Sequence, residues 1–166
     1  MLSSLSSRRR FLDLTEQEVL ALAISSEEDD AQIYRGFAQR LRADYPASAA
    51  VFDGMAVEED DHRRRLIELH RERFGEVIPL IRREHVAGYY ARRPVWLSAN
   101  LSLDTIRGEV RAMEQQGADF YTRAAGRTED AGTRKLLGDL AAAEAGHARM
   151  AGALEAEHLC EDERNE

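Results

Sequence analysis

Four stretches of this chain set apolar residues at spacings of three and four, and each interrupts the pattern near its middle with a glutamate. Leu20, Ile24, Glu27, Ala31, Tyr34, Ala38 and Leu41 form the first; Phe52, Met55, Glu59, His62, Leu66 and Leu69 form the second. Leu103, Val110, Glu114, Gly117, Tyr121 and Ala124 form the third; Leu137, Leu140, Glu144, His147, Ala151 and Leu154 form the fourth. That spacing is the period of one face of an α-helix. The expected fold is all-α, a four-helix bundle with these seams turned inward. A buried carboxylate or imidazole is costly unless something pairs it, so such a bundle has to find a counter-charge.

Boundaries follow from capping and turn residues. Thr15 with Glu18 reads as a capping box opening the first helix. "DYPAS" at 44–48 ends it, with Pro46 suited to the first turn of the next helix, which should finish near Gly75. The third helix is expected after Ser102, and "AGRTEDAG" at 125–132 is a turn with Thr128 as the expected N-cap of the fourth. Between the second and third helices lie the 26 residues "EVIPLIRREHVAGYYARRPVWLSANL", too many for a hairpin loop. A bundle about 25 residues tall measures roughly 38 Å, and this connector can cross that height. The architecture expected is two antiparallel helical hairpins joined by a long crossover, with Tyr89, Tyr90 and Trp96 of the connector covering the bundle. Residues 15–160 form the domain, 1–14 a flexible N-terminus and 161–166 an acidic tail.

Composition narrows the function classes. A net charge of −8, with no basic stripe set apart from acidic neighbours, argues against a nucleic-acid partner. A single cysteine, Cys160, excludes an internal disulfide framework and suits a reducing compartment. No apolar run approaches the ~18 residues needed to span a bilayer. "SSRRRFL" (6–12) resembles a twin-arginine export motif, but the adjoining segment 13–30 is acidic at both ends rather than apolar. A cytoplasmic location is the expectation.

The two hairpins read as copies. Glu27 to Glu114 is a step of 87 residues, as are Ala31 to Ala118, Tyr34 to Tyr121, Ala38 to Ala125 and Arg40 to Arg127. Glu59 to Glu144 is a step of 85, as are Ala56 to Ala141, His62 to His147 and Arg64 to Arg149. Residues level in an antiparallel hairpin are equidistant from its turn. The midpoint of Glu27 and Glu59 falls at 43, beside "DYP", and that of Glu114 and Glu144 at 129, inside "RTEDAG". Both glutamate pairs are level without adjustment.

Each hairpin thus offers one glutamate from its first helix and a Glu-x-x-His from its second, Glu59–His62 and Glu144–His147. Residues three apart share a helical face and can reach one ion. Four carboxylates match two divalent cations, and oxygen with imidazole donors but no thiolate suits iron or manganese, with zinc as a substitute. Glu109 lies off the third seam and is a weaker rival to Glu114. Glu28, Glu58, Asp60 and Asp61 are off the second seam or its neighbour and read as solvated, or as hydrogen-bond partners of ligands; His70, His85 and His158 read as structural. Tyr34 and Tyr121 each follow a seam glutamate by seven residues. Helical side chains lean toward the N-terminus, which aims both hydroxyls back at the carboxylates.

"EEDDAQIYRGFA", "AVEEDDHRRRL", "AMEQQGADFY" and "AAAEAGHARM" resemble the ferritin-like superfamily and, within it, the rubrerythrin branch. They are most similar to the N-terminal domain of erythrin-type membrane-bound ferritins of bacteria. The resemblance spans roughly Thr15 to Leu159. It implies a ferritin-like bundle with a di-iron centre of two Fe ions, Glu59 and Glu144 bridging, Glu27 with His62 and Glu114 with His147 as terminal ligands. The family's membrane-bound members continue into a membrane domain similar to vacuolar iron transporters, which implies Fe(II) and O₂ or H₂O₂ as reactants and a possible C-terminal transporter, with this chain on the cytosolic side of the inner membrane. Two departures stand out: the four-cysteine rubredoxin-like module is absent, and Gly117 stands where rubrerythrins carry a further glutamate ligand, leaving room for an exogenous ligand. The leading expectation is oxidation of Fe(II) in iron detoxification or export. The alternatives are an iron-sensing or delivery module, a rubrerythrin-like peroxidase, another di-iron or di-manganese enzyme, and a metal-free structural bundle. A two-fold homodimer is the expected assembly.

Overall fold

Thr15 and Glu18 close the start of the first helix on each other. The Glu18 backbone N–H donates to Oγ1 of Thr15 at 3.2 Å, and the Thr15 N–H donates to the Glu18 carboxylate at 2.8 Å, satisfying two donors that a helix start otherwise leaves unpaired. The computed structural model of the protein describes residues 8–88 and 102–162, with side chains as far as Ala151. Its four long helices are α1 (Glu16–Leu41), α2 (Pro46–Phe74), α3 (Leu103–Arg127) and α4 (Ala131–Asp162). Pro46 takes the first position of α2, and Gly75 ends that helix at φ 89°, a conformation that favours glycine. Ser102 caps α3, accepting from the Thr105 N–H at 3.1 Å. The cap of α4 is Asp130, not Thr128: the Thr133 N–H donates to the Asp130 carboxylate at 2.8 Å. Thr128 turns away to hydrogen-bond Glu16 of α1.

Antiparallel pairing joins α1 with α2 and α3 with α4, giving the four-helix bundle of ferritin-like architecture. One end of the bundle is tied together by arginines. Arg73, in the last turn of α2, pairs with Glu16 in the first turn of α1 and donates to Thr133 at the start of α4, at 2.8 Å. Arg127, ending α3, donates to the carbonyls of Phe11, Leu12 and Leu14 at 2.8, 3.1 and 3.2 Å. With those four termini together, α2 and α3 run parallel, and their connection begins at one end of the bundle and finishes at the other. The core divides in two. Leu20, Leu66, Phe120, Tyr121, Leu137 and Leu140 belong to the cluster at the arginine-tied end; Phe37, Leu41, Phe52, Met55, Ile106 and Val110 belong to the cluster at the other.

Residues 8–14, expected to be part of a flexible terminus, are instead bound to the bundle. Phe11 and Leu14 are buried, Phe11 edge-on to Phe120 with ring centroids 5.7 Å apart. Arg9–Arg10 (β1) pairs in parallel with Val86–Ala87 (β2) of the connector. Charge patterning concealed this, because the apolar anchors are single residues set among arginines. The connector also lies along α1: the Ser25 hydroxyl donates to the Ile81 carbonyl at 2.6 Å, and Arg83 makes a two-pronged ion pair with Asp30 at 2.8 and 3.0 Å. Tyr89, Tyr90 and Trp96 lie outside the described residues. Among those described, no helix is long and apolar enough to cross a membrane.

The Arg83–Asp30 pair is almost dry, with side chains 12% and 9% exposed. Removing one member of a buried pair costs more than the pair contributes, because the remaining charge loses its partner. Arg83→Ala should therefore destabilise the protein by about 3 kcal/mol in urea unfolding. Replacing both residues, as Arg83→Met with Asp30→Leu, should cost much less.

Candidate metal centre

Glu27, Glu59, His62, Glu114, Glu144 and His147 are all at most 5% exposed and meet between the two apolar clusters. Each helix contributes through the seam that buries it: one residue from α1, two from α2, one from α3 and two from α4. Nδ1 of His62 lies 3.6 Å from Glu27, 3.5 Å from Glu59 and 3.6 Å from Glu144. Nδ1 of His147 lies 3.2 Å from Glu59 and 3.4 Å from Glu114. The two imidazoles stack with centroids 6.0 Å apart and planes 20° from parallel. Two sets emerge, Glu27–Glu59–His62–Glu144 and Glu59–Glu114–Glu144–His147, each with its donor atoms within 4.8 Å of one another. Glu59 and Glu144 belong to both.

Seven donor atoms of these six side chains are buried with no hydrogen-bond partner: Oε2 of Glu27, both carboxylate oxygens of Glu59, Nδ1 of His62, Oε2 of Glu114, Oε1 of Glu144 and Nδ1 of His147. Buried polar atoms are paired as a rule, and orphans need a reason. Here the orphans face each other at 3.2 to 3.6 Å without pairing, an arrangement that leaves their lone pairs free for an ion between them. The residues fit a metal site with hard oxygen and imidazole donors, for which iron is the best match.

Protons carry the counter-charge when metal does not. Burial pushes the Glu27, Glu114 and Glu144 carboxyls above their ordinary range, and neighbouring carboxylates push the same way. Glu59 moves down: burial opposes the shift, but the close approach of Glu27, His147 and His62, which favours its charged form, outweighs it. Burial also works against charged imidazoles, yet the carboxylates around them win. Glu144, Glu27 and Glu59 raise His62 to about 12, while Glu114, Glu59 and Glu58 raise His147 to about 11.

The tyrosines reach the centre by crossing it. Tyr34 of α1 donates to Glu114 of α3, and Tyr121 of α3 donates to Glu27 of α1. Each hydroxyl thus engages the glutamate of the other hairpin, and burial keeps both hydroxyls protonated. Sequence spacing shows that both point toward the carboxylates but not which one each meets. Glu58 touches Nε2 of His147 at 2.5 Å. Asp30, the counterpart of Gly117 at the step of 87, was not singled out by the sequence; it is buried with Arg83 and raises Glu144 through its charge. His70 is buried at the foot of α2, its Nδ1 3.1 Å from the Gly75 carbonyl, and His85 accepts from the Arg82 N–H at 3.1 Å. Both serve the fold, while the His158 side chain lies outside the described residues.

Gly117 does not leave a space for an added ligand. A Cβ built there would stand 2.3 Å from Oε2 of Glu144 and 3.1 Å from its Cδ, so the Glu144 carboxylate itself fills the place.

Fold and site together define a ferritin-like bundle with a buried carboxylate–histidine centre. The rubrerythrin family model matches residues 18–155. The chain belongs to the rubrerythrin family. A solved structure of a hypothetical protein from Pyrococcus furiosus is 23% identical, with a TM-score of 0.69, covering 86% of this chain and 89% of that one. At that identity the likeness shows the fold alone. A search of curated proteins found no match.

Two outcomes are expected from the geometry. Gly117→Ala should gain up to about 1 kcal/mol of helix propensity, and the clashing atoms are the free end of a side chain, so the fold should survive with an undiminished melting temperature. Its metal affinity should nevertheless fall roughly tenfold or more, the scale on which misplaced support for a ligand is felt, as read by titration with Co(II).

The second outcome concerns pH. In the metal-free protein His62 and His147 bind protons more tightly folded than unfolded, with values of about 12 and about 11 against 6.5. Glu27, Glu114 and Glu144 do so too, against 4.5. Stability from a raised group is complete below its unfolded value and drains away as pH rises toward its folded one. The Glu59 shift is opposite, but it acts only below the ordinary value of 4.5. The melting temperature in a chelator should therefore drop between about pH 6 and pH 9. Metal should flatten that decline, because it takes over the role of the protons and releases them on binding.

Proposed function

We propose that the protein binds two Fe(II) ions per chain and oxidises them with O₂ or H₂O₂, serving iron detoxification, export or homeostasis. What supports this reading above all is the set of seven unpartnered donor atoms converging from four helices. In it Glu27 with His62 would hold one ion and Glu114 with His147 the other, and Glu59 and Glu144, common to both sets, would serve both. The bound pair supplies two electrons: two Fe(II) become two Fe(III) while H₂O₂ and two protons become two waters, or O₂ and two protons become H₂O₂.

The protein's own residues fix the geometry for this. The apolar clusters on either side keep bulk water from the carboxylates, so their attraction for cations is little screened. Tyr34 and Tyr121 hold Glu114 and Glu27 in place by hydrogen bonds and restrict the carboxylates to the orientation that faces the centre. Six side chains shared between two ions would leave positions for a small oxidant to bind. A role as the cytosolic partner of a membrane iron transporter is compatible with this chemistry, with the oxidised or reduced ion as cargo.

Anaerobic Fe(II) titration should saturate near two ions per chain. Stopped-flow absorbance after mixing with H₂O₂ or O₂ should then show oxidation over many turnovers, and the faster oxidant distinguishes peroxidase from ferroxidase behaviour. Glu59→Ala with Glu144→Ala should abolish stoichiometric binding. Uptake that survives their loss would overturn the assignment of ligands, and binding without turnover would favour sensing or delivery of iron.

A further inference from the structure

His62 and His147 occupy matching places in the repeat but are held differently. Nδ1 of each faces the carboxylates of the centre. Nε2 of His147 lies 2.5 Å from Oε2 of Glu58, whose side chain is 55% exposed while the imidazole is 3% exposed. His62 has no such partner on Nε2 among the described residues. The position matching Glu58 at the step of 85 is Ala143, which has no side-chain oxygen to offer.

A neutral imidazole carries one proton and one lone pair. An acceptor at Nε2 keeps the proton there and leaves the Nδ1 lone pair for a cation, and a carboxylate in that place also makes the ring a better donor. We propose that Glu58 is the positioning residue of His147, holding the ring with its proton on Nε2 and Nδ1 turned into the centre, and that it makes the Glu114–His147 metal position the tighter of the two. Among the described residues, only the helix of His62 and its packing orient that ring on the Nε2 side. The two ions therefore bind unequally although their ligands are duplicated. This inference rests on the two-metal reading above.

The test is an anaerobic Co(II) titration of the full chain, followed by visible absorption, for the wild type, Glu58→Ala and Glu58→Gln. Two resolved steps are expected in the wild type. Glu58→Ala should weaken the tighter step by about 10- to 100-fold and leave the other unchanged. Glu58→Gln, which keeps an oxygen able to accept from Nε2–H, should recover part of the loss. All three metal-free proteins should fold with the same helical circular dichroism, although Glu58→Ala gives up its contact with the buried His147 ring and should melt somewhat lower. Equal affinity for the two ions in the wild type, no effect of Glu58→Ala, or an equal loss at both steps would overturn the proposal. Failure of the wild type to take up Co(II) at all would overturn the metal centre itself, and the role of Glu58 with it.

Discussion

Four glutamates and two histidines facing one another in a dry space can stay there only if positive charge is added. Either protons or metal ions can supply it, and the choice between them governs the rest of the molecule. With protons the centre is a compromise: three carboxyls are pushed up, one is held down, and both imidazoles are charged far above their usual range. The seven donor atoms still lack hydrogen-bond partners. Each orphan costs roughly 1–3 kcal/mol when a buried group goes unsatisfied. A bundle that kept such a feature without using it would be more stable with leucine in the same places. The two apolar clusters explain how the strain is carried: each closes one end of the bundle, so the polar middle is held between them and cannot open without breaking one of the two.

The bundle and its six convergent residues could be read from the sequence because both obey helical periodicity. Every residue of the first seam from Leu20 to Leu41 is buried, and helix boundaries at Thr15, Pro46, Gly75 and Ser102 follow from local capping chemistry. What escaped the reading lies off that period. Phe37, Met113 and Phe120 fill the core beside the seams, since a buried face is wider than one line of residues. Phe11 and Leu14 look like stray apolar residues until Arg127 is seen gathering their carbonyls. The Asp130 cap was missed in favour of Thr128, which also has capping chemistry but spends its hydroxyl on Glu16. Contacts between elements far apart in the chain, such as Arg83 with Asp30 or Tyr34 with Glu114, have no local signature.

Duplication accounts for the symmetry of the centre. The crossed tyrosines show it most directly, since Tyr34 to Glu114 and Tyr121 to Glu27 are one contact made twice. Such a crossing can form only when the two hairpins face each other about an approximate two-fold axis through the centre. It also ties α1 to α3 at the level of the carboxylates, between the two apolar clusters.

Two of the places where the halves differ lie beside the centre. Where the first half has Asp30, tied to the connector by Arg83, the second has Gly117, whose missing Cβ admits the Glu144 carboxylate. Where the second helix of the first hairpin has Glu58, that of the second has Ala143. Neither change alters the six inward-facing residues; both alter what stands behind them. The Glu144 carboxylate is packed against the α3 backbone, whereas its partner in the repeat, Glu59, is bounded by two imidazoles. On the reading proposed above, a symmetric set of donors with asymmetric support would give two binding positions of the same composition and different strength. For the proposed reaction, which takes one electron from each of two ions, unequal positions would let one ion stay while the other exchanges.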